Sequence, residues 1–247
     1  MADGLLLLHA FPLDSSMWEP QVAAFGDQLT VVAVDLPGFG ASGETPDVMT
    51  MDAAAEAGLK ALDAAGVERA VVCGLSMGGY AALAFWRNHR DRVAGLVLAN
   101  TRSGADDEAG KERRKGVADR LKAEGSQFMV DSPPPLLSAD APQELWDQVK
   151  SIIAGQRPEA IAAASLGMGA RPDYTADLAG IDVPVLVIAS TGDALIPADA
   201  TTPMASQIPG AHLEIIEGAG HLSNLEAPAD FNRVLGAHLS KCGVLSS

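Results

Sequence analysis

The chain has 247 residues, and its 17 Lys and Arg against 32 Asp and Glu give a formal net charge of −15 with neutral His. This charge argues against nucleic acid and anionic membrane surfaces as partners, because both attract proteins through clustered Lys and Arg. A hydrophobic share of 48% argues against disorder, and the apolar run at residues 5–8 is far shorter than the roughly 20 residues of a membrane span.

No basic leader precedes that run, so we expect a soluble protein without an export signal, and the low number of cysteines favours the cytoplasm. The two cysteines, Cys73 and Cys242, are too few for a disulfide framework. Neither has His or Cys neighbours at the spacing of metal ligands, so we expect no metal site.

Short runs rich in Leu and β-branched residues alternate with Ala-rich stretches of helical length, which is typical of βαβ units. The predicted strands cover residues 5–9, 31–35, 70–73, 93–99, 183–189 and 212–216. The predicted helices lie near residues 51–65, 77–90, 198–208 and 228–239. The pattern therefore predicts an α/β fold with a mainly parallel six-stranded sheet flanked by helices.

The alternation stops between residues 102 and 180, where charged segments indicate amphipathic helices interrupted by three prolines at residues 133–135. An insertion of about 80 residues between two strands is too long for a loop. We therefore predict a helical cap, or lid, of residues 102–180 inserted into a core of residues 1–101 and 181–247. The alternative is an ordinary pair of crossover helices.

The most specific motif is Gly74-Leu75-Ser76-Met77-Gly78, a G-x-S-x-G string between a predicted strand and a predicted helix. This context is that of a nucleophile elbow, in which a strained turn presents the serine and the glycines avoid side-chain clashes. The helix N-terminus adds backbone N–H groups and a positive dipole end beside the serine oxygen. Ser76 is therefore the predicted nucleophile; the alternative is a mere tight turn.

A serine hydroxyl needs a base, and the base needs an acid that fixes its tautomer. Asp193 follows the predicted strand 183–189, and His221 follows the predicted strand 212–216. Open α/β sheets place their sites beyond such strand ends, and the chain order Ser, Asp, His is that of a catalytic triad on this type of sheet. The alternatives are a turn cap for Asp193 and a loop histidine for His221.

The segment His9-Ala10-Phe11-Pro12 follows the first predicted strand. The backbone N–H groups of Phe11 and Met77 are the predicted oxyanion hole, since both would converge on a carbonyl oxygen bound at Ser76. His9 is predicted to brace this loop rather than to carry a proton.

With these motifs, the chain resembles the alpha/beta-hydrolase fold superfamily, specifically its capped serine esterases and 3-oxoadipate enol-lactonase-like members. The resemblance covers nearly the whole chain and also rests on the loop at residues 35–42 and on Gly192-Asp193 and Gly218-Ala219-Gly220-His221. There are two departures. Ala10 stands where members usually carry Gly, and the first strand starts at Leu5, so we expect no N-terminal hairpin.

The resemblance and the triad together predict a carboxylic-ester hydrolase that acts on small to medium acyl chains through an acyl-enzyme, without a cofactor. The expected partner is a small-molecule ester or lactone. An enol-lactonase is the closest rival, and carbon–carbon bond hydrolysis on the same triad stays open. A non-catalytic ligand receptor is the other alternative, against which the complete triad argues.

Apolar side chains of the cap, with one residue after the predicted base, form the predicted substrate pocket. They are Phe128, Met129, Leu137, Trp146, Met168 and Leu222. Such residues also pack a helical lid on its core, so the two roles stay open. The resemblance to lactonases of dicarboxylate-derived substrates implies a basic residue in the pocket, and the candidates are Arg102, Arg113, Arg114, Arg157 and Arg171.

Overall fold

One parallel sheet forms the centre of the computed structural model, which describes residues 3–43 and 45–245. Its strands are β1 (Asp3–Leu8), β2 (Thr30–Val34), β3 (Arg69–Leu75), β4 (Val93–Ala99), β5 (Val185–Ser190) and β6 (His212–Ile216). They lie in the order β2-β1-β3-β4-β5-β6, and each neighbouring pair is parallel. The predicted six-stranded α/β fold is confirmed; the predicted domain limits at residues 1 and 247 lie outside the described residues.

Helices connect and flank these strands. In chain order they are α1 (Glu19–Phe25), α2 (Met51–Ala64), α3 (Met77–Asn88), α4 (Glu108–Glu124), α5 (Gln127–Asp131), α6 (Gln143–Ala154), α7 (Pro158–Gly169), α8 (Ala198–Thr201), α9 (Pro203–Gln207), α10 (Ser223–Glu226) and α11 (Pro228–Lys241). Short 3-10 turns cover Ser15–Trp18, Arg90–Arg92 and Thr175–Gly180. No helix in the described part of the chain is long and apolar enough to cross a membrane.

The predicted single helix over residues 198–208 is wrong, because α8 and α9 divide this segment. Pro203 stands at the first position of α9 and has no N–H to continue the hydrogen bonds of α8. The short helix α1 has no counterpart in the sequence prediction. The predicted helices 51–65, 77–90 and 228–239 correspond to α2, α3 and α11.

The central strands β3 and β4 are buried except for Arg69 at the start of β3, since a parallel sheet in an α/β fold is covered on both faces. Large side chains of the flanking helices fill the space against them, among them Phe25, Phe85 and Phe231. Because every strand runs the same way, the carboxyl ends of β1, β3, β4, β5 and β6 lie along one edge, and the loops that follow them meet there.

The described chain between β4 and β5 contains α4 to α7 and no strand. We keep the name cap for residues 102–180, whose assignment as a separate domain stays a prediction. Helices α4 and α7 pack against each other. The cap is bonded to the core by Gln156, which donates to Asp14 Oδ2 at 2.7 Å and accepts from Gly40 N–H at 3.0 Å.

Candidate active site

Ser76 lies between the last residue of β3 and the first residue of α3, in a backbone conformation (φ 57°, ψ −115°) that L residues rarely adopt. Such a conformation costs roughly 1–3 kcal/mol and persists only where the surroundings enforce it. Here Ser76 N–H donates to Ala99 O at 2.9 Å, and the Thr101 hydroxyl donates to Ser76 O at 2.8 Å. A Cβ on Gly74 would collide with Gly78 O. The local structure is therefore a sharp strand-to-helix turn that requires its glycines.

Asp193 and His221 form a buried pair beyond the ends of β5 and β6. Asp193 Oδ2 lies 2.8 Å from His221 Nδ1, and Asp193 Oδ1 accepts the N–H groups of Leu195 and Ile196 at 2.9 and 2.8 Å. Burial alone would raise the pKa of the Asp193 carboxyl, but the hydrogen bonds from His221, Ile196 and Asn100 outweigh it and hold the pKa below its ordinary value. The pair therefore combines an ionised carboxylate with an oriented imidazole.

The tautomer of His221 follows from this contact. A hydrogen bond to the carboxylate places the ring proton on Nδ1, which leaves Nε2 with a free lone pair. Nε2 is buried and has no hydrogen-bond partner among the described residues. It is therefore available to accept a proton from a group in the site.

Asp193 is bonded to a buried polar network, centred on Asn100, that the sequence did not single out. Asn100, directly after β4, donates through Nδ2 to Asp193 Oδ2 at 3.0 Å and to Ser190 Oγ at 2.9 Å. Its Oδ1 accepts the Ser223 hydroxyl at 2.7 Å. Asn100 also has a positive φ of 46°, which Asn tolerates better than most residues. Its position at a carboxyl strand end, next to the strand that precedes Asp193, is the signal that could have identified it.

The loop before His221 is bonded to the cap. The Glu226 carboxylate accepts the N–H of Gly220 at 2.9 Å, the N–H of Ser138 at 3.0 Å and the Ser138 hydroxyl. Leu222 N–H donates to Leu136 O at 2.8 Å. A Cβ on Gly220 would collide with the backbone of residues 137 and 138, so the two segments are in direct contact.

The predicted oxyanion amides, Phe11 and Met77, lie on the loop after β1 and on the first turn of α3. Among the described residues, neither N–H donates to a protein acceptor. His9 holds the loop in place, since its Nδ1 lies 3.0 Å from Ala10 O and its Nε2 accepts Leu36 N–H at 3.0 Å. Burial lowers the pKa of His9, which fits a neutral, bracing histidine.

A cavity of about 440 Å³ opens at Ser76, within the roughly 300–1,000 Å³ range of small-molecule pockets. Of the predicted pocket residues, Met129 and Met168 line it. The others, Phe128, Leu137, Trp146 and Leu222, are not among its described lining residues. Its walls also include Leu136, another apolar residue of the cap, together with Phe11, Tyr80 and, from the loop after Asp193, residues 195–197. That loop starts at a carboxyl strand end, which is the signal that could have placed it in the site.

One wall of the cavity carries charge. The charged side chains among its lining residues are Arg102, Asp106, Arg113 and Arg114. The Asp106 carboxylate accepts from Arg102 Nη2, from Arg114 Nε at 3.2 Å and from Nη2 of the fully buried Arg171 at 2.9 Å. Burial would raise the pKa of Asp106, but Arg171 and Arg114 lower it to about 2.

The remaining arginine candidate lies elsewhere. Arg157 donates to the backbone carbonyls of Gly38, at 2.8 Å, and Gly43, and it is not among the described residues that line the cavity. Among the residues that the structure describes, no group of three or more His, Cys, Asp and Glu side chains lies together as metal ligands would.

Comparisons with known proteins agree with this architecture. A family model described as the alpha/beta hydrolase family matches residues 5–234. The 3-oxoadipate enol-lactonase 1 of Acinetobacter baylyi is 30% identical over 94% of this chain and 87% of its own length. A thermophilic esterase from Thermogutta terrifontis is 38% identical, with a TM-score of 0.93 over 98% of this chain and 92% of its own. An enol-lactonase from Burkholderia xenovorans is 28% identical, with a TM-score of 0.87 over 97% and 92%.

Proposed function

We propose that this chain, which belongs to the alpha/beta hydrolase family, is a serine hydrolase that cleaves carboxylic esters of small to medium acyl chains. One observation carries the proposal: Ser76 lies in a strained turn and lines a cavity, and the Asp193-bound His221 follows a strand that ends at the same edge of the sheet. Among the described residues, His221 Nε2 has no hydrogen-bond partner. A small molecule is the substrate, as the family and the cavity volume both favour.

In the first half of the reaction, His221 Nε2 takes the proton of the Ser76 hydroxyl as its oxygen attacks the ester carbonyl. The Asp193 carboxylate stabilises the imidazolium that forms. The N–H groups of Phe11 and Met77 bind the oxygen that becomes negative in the tetrahedral intermediate. His221 then gives its proton to the leaving alcohol, and Ser76 carries the acyl group.

In the second half, His221 takes a proton from a water molecule that attacks the acyl carbonyl, and the same amides bind the oxyanion again. The proton returns to the Ser76 oxygen when the acid product leaves. Every group that these steps require belongs to the protein, to the substrate or to water.

The test replaces the nucleophile. Ser76→Ala should lower kcat for p-nitrophenyl butyrate by about a thousandfold or more, because the covalent route is lost. The matched control is Ser206→Ala on α9, whose exposed hydroxyl donates only to Pro203 O. It should keep full activity, and both variants should unfold at the wild-type temperature. Retained activity of the folded Ser76→Ala protein would refute the assignment.

Lactone hydrolysis is the second candidate function, and the specific support for it is the 30% identity to a 3-oxoadipate enol-lactonase. Both reactions use the same acyl transfer to serine, so substrate preference decides between them. A panel of p-nitrophenyl esters of increasing chain length, assayed beside lactones and enol-lactones, should give the larger kcat/KM for the esters. Labelling by a fluorophosphonate probe distinguishes either enzyme from a ligand receptor, whose serine should not react.

A further inference from the structure

The charged wall of the cavity has an excess of positive charge. Arg102, Arg114 and Arg171 all contact the single carboxylate of Asp106, which leaves two positive charges without a partner in this cluster. The Asp106 side chain is 3% exposed and that of Arg171 is 0% exposed, so water screens the contact between these two weakly. The exposed Asp173 also interacts with Arg171, which makes Arg171 the best compensated of the three.

Arg113 adds a further positive charge to the same wall. Gly110, Arg113, Arg114 and Val117 all line the cavity, and their spacing of three and four residues places them on one face of α4. No carboxylate in residues 3–43 or 45–245 lies within 4.0 Å of the Arg113 guanidinium. The chain has a net charge of −15, so the arginines beside Ser76 form a positively charged wall in an otherwise acidic protein.

Arg102 also has a hydrogen-bond donor without an acceptor among the described residues. Its side chain is 41% exposed and contacts Asp106 only through Nη2. Its Nε is buried without a hydrogen-bond partner among the described residues. A buried donor that lacks an acceptor costs free energy, which an anionic group bound in the cavity would offset.

We propose that Arg102 and Arg113 form an anion-binding subsite, and that the preferred substrate is an ester or lactone that carries a carboxylate. This inference rests on the proposed function, since the carboxylate is recognised on the molecule that Ser76 attacks. Guanidinium groups bind carboxylates through paired, charge-assisted hydrogen bonds, which fixes orientation as well as affinity. Asp106 acts as the positioning residue that holds Arg102 and Arg114 at the wall.

The dimensions limit where the carboxylate sits. The cavity volume of 440 Å³ is that of a small-molecule pocket, and Ser76, Arg102 and Arg113 all line it, so one small substrate can contact all three. A dicarboxylic acid esterified at one end matches this arrangement, with its free end at the arginines and its ester carbonyl at Ser76.

The test compares two esters of equal size. One is the mono-p-nitrophenyl ester of adipic acid; the other is the neutral ester in which an isopropyl group replaces the carboxylate. Wild-type kcat/KM should be at least about tenfold higher for the anionic ester. In the Arg113→Gln and Arg102→Gln variants this ratio should fall at least about fivefold, mainly through KM of the anionic ester. Spontaneous hydrolysis is subtracted with the Ser76→Ala protein.

The matched control is Lys115→Gln, which removes one positive charge from the same helix. Lys115 is exposed, bonds to Asp119 at 2.9 Å and does not line the cavity. It should keep the wild-type ratio, which separates a local contact from the net charge of α4. Thermal unfolding of each variant checks the fold, and Arg113 is exposed enough for its variant to fold.

The possible failures are distinguishable. If neither ester is hydrolysed, the proposed function fails and the subsite with it. If the neutral ester is hydrolysed as fast as the anionic one, or if both Arg variants keep the wild-type ratio, the enzyme stands and the subsite is refuted. In a further arm, the carboxylate is moved to the leaving alcohol as the acetate ester of p-hydroxybenzoate. A preference for that ester over phenyl acetate, lost in Arg113→Gln, would retain the subsite and refute its placement on the acyl side.

Discussion

Replacement of Asn100 by Ala tests whether the hydrogen bonds around Asp193 matter for both stability and turnover. The substitution removes the donor to Asp193 Oδ2 at 3.0 Å, the donor to Ser190 Oγ at 2.9 Å and the acceptor for Ser223 Oγ at 2.7 Å. All four side chains are buried, so water cannot easily replace the lost partners.

The magnitude follows from these three contacts. A hydrogen bond to a charged group contributes about 1.5–3 kcal/mol and a neutral one about 0.5–1.5 kcal/mol. Ala at the positive φ of 46° adds about 1 kcal/mol of strain relative to Asn. Because the contacts share one network, their effects are not strictly additive. We expect the free energy of unfolding to fall by about 4 kcal/mol.

The effect on turnover has a separate cause. Loss of one donor raises the pKa of Asp193 and loosens the imidazole of His221 that the carboxylate orients. We expect kcat for p-nitrophenyl butyrate to fall roughly tenfold or more, with KM within about threefold of the wild-type value. Urea denaturation measures the first effect and steady-state kinetics the second.

Two further variants separate backbone strain, volume and donor chemistry. Asn100→Gly relieves the positive φ and should stay nearly as inactive as Asn100→Ala. Asn100→Asp keeps the size and the tolerance of positive φ but cannot donate when ionised, so it should also lose activity at neutral pH. Wild-type kcat in the Ala variant, or recovery of kcat in the Gly variant, would refute the role that we assign to the amide.

Three other predictions follow from contacts outside the triad. Glu226→Ala should lower kcat about tenfold with little change in KM, because Ser138 and Gly220, in the loop before His221, lose their common acceptor. Glu226→Gln keeps one acceptor oxygen and should recover part of the lost kcat. Asp106→Asn should cost about 3–5 kcal/mol of unfolding free energy, measured in urea, because the buried Arg171 loses the one carboxylate that contacts it among the described residues. Burial lowers the pKa of His238 from 6.5 to about 4, so the unfolded chain takes up this proton at a higher pH than the folded chain does. Stability is therefore lost as the pH falls between these two values. The unfolding free energy of the wild type should therefore drop by about 3 kcal/mol more than that of His238→Gln from about pH 7 to about pH 4, and equal slopes would contradict this.

Much of the sheet and the candidate triad could be predicted from sequence because both depend on local patterns. Buried parallel strands are continuous apolar runs, and the residues directly after them fall at one edge. Ser76, Asp193 and His221 each stand in such a position, so chain order and strand ends sufficed to propose them. The break at Pro203 also had a local cause, namely a residue without an N–H.

The surroundings of these residues could not be predicted in the same way. Asn100 meets Ser223, and Glu226 meets Ser138, across long stretches of sequence, so no periodicity reports the contacts. The pocket wall was expected from apolar residues of the cap, whereas part of it is the arginine-bearing face of α4. A polar helix face predicts solvent exposure unless the fold turns it toward a cavity.

Residues 136–138 of the cap, which we call the corner, contact the loop before His221, so substitutions are tolerated less there than on α4. Leu136 O accepts Leu222 N–H, and Gly220 has no space for a side chain against residues 137 and 138. Substitutions at residues 136–138 would change the position of His221 and the shape of the pocket together, so they would affect turnover as well as substrate binding. Helix α4 carries no such bond to the loop of the base among the described residues. Substitutions on α4 can therefore change the substrate preference without moving His221. When caps are exchanged between relatives, residues 136–138 should be retained and α4 varied.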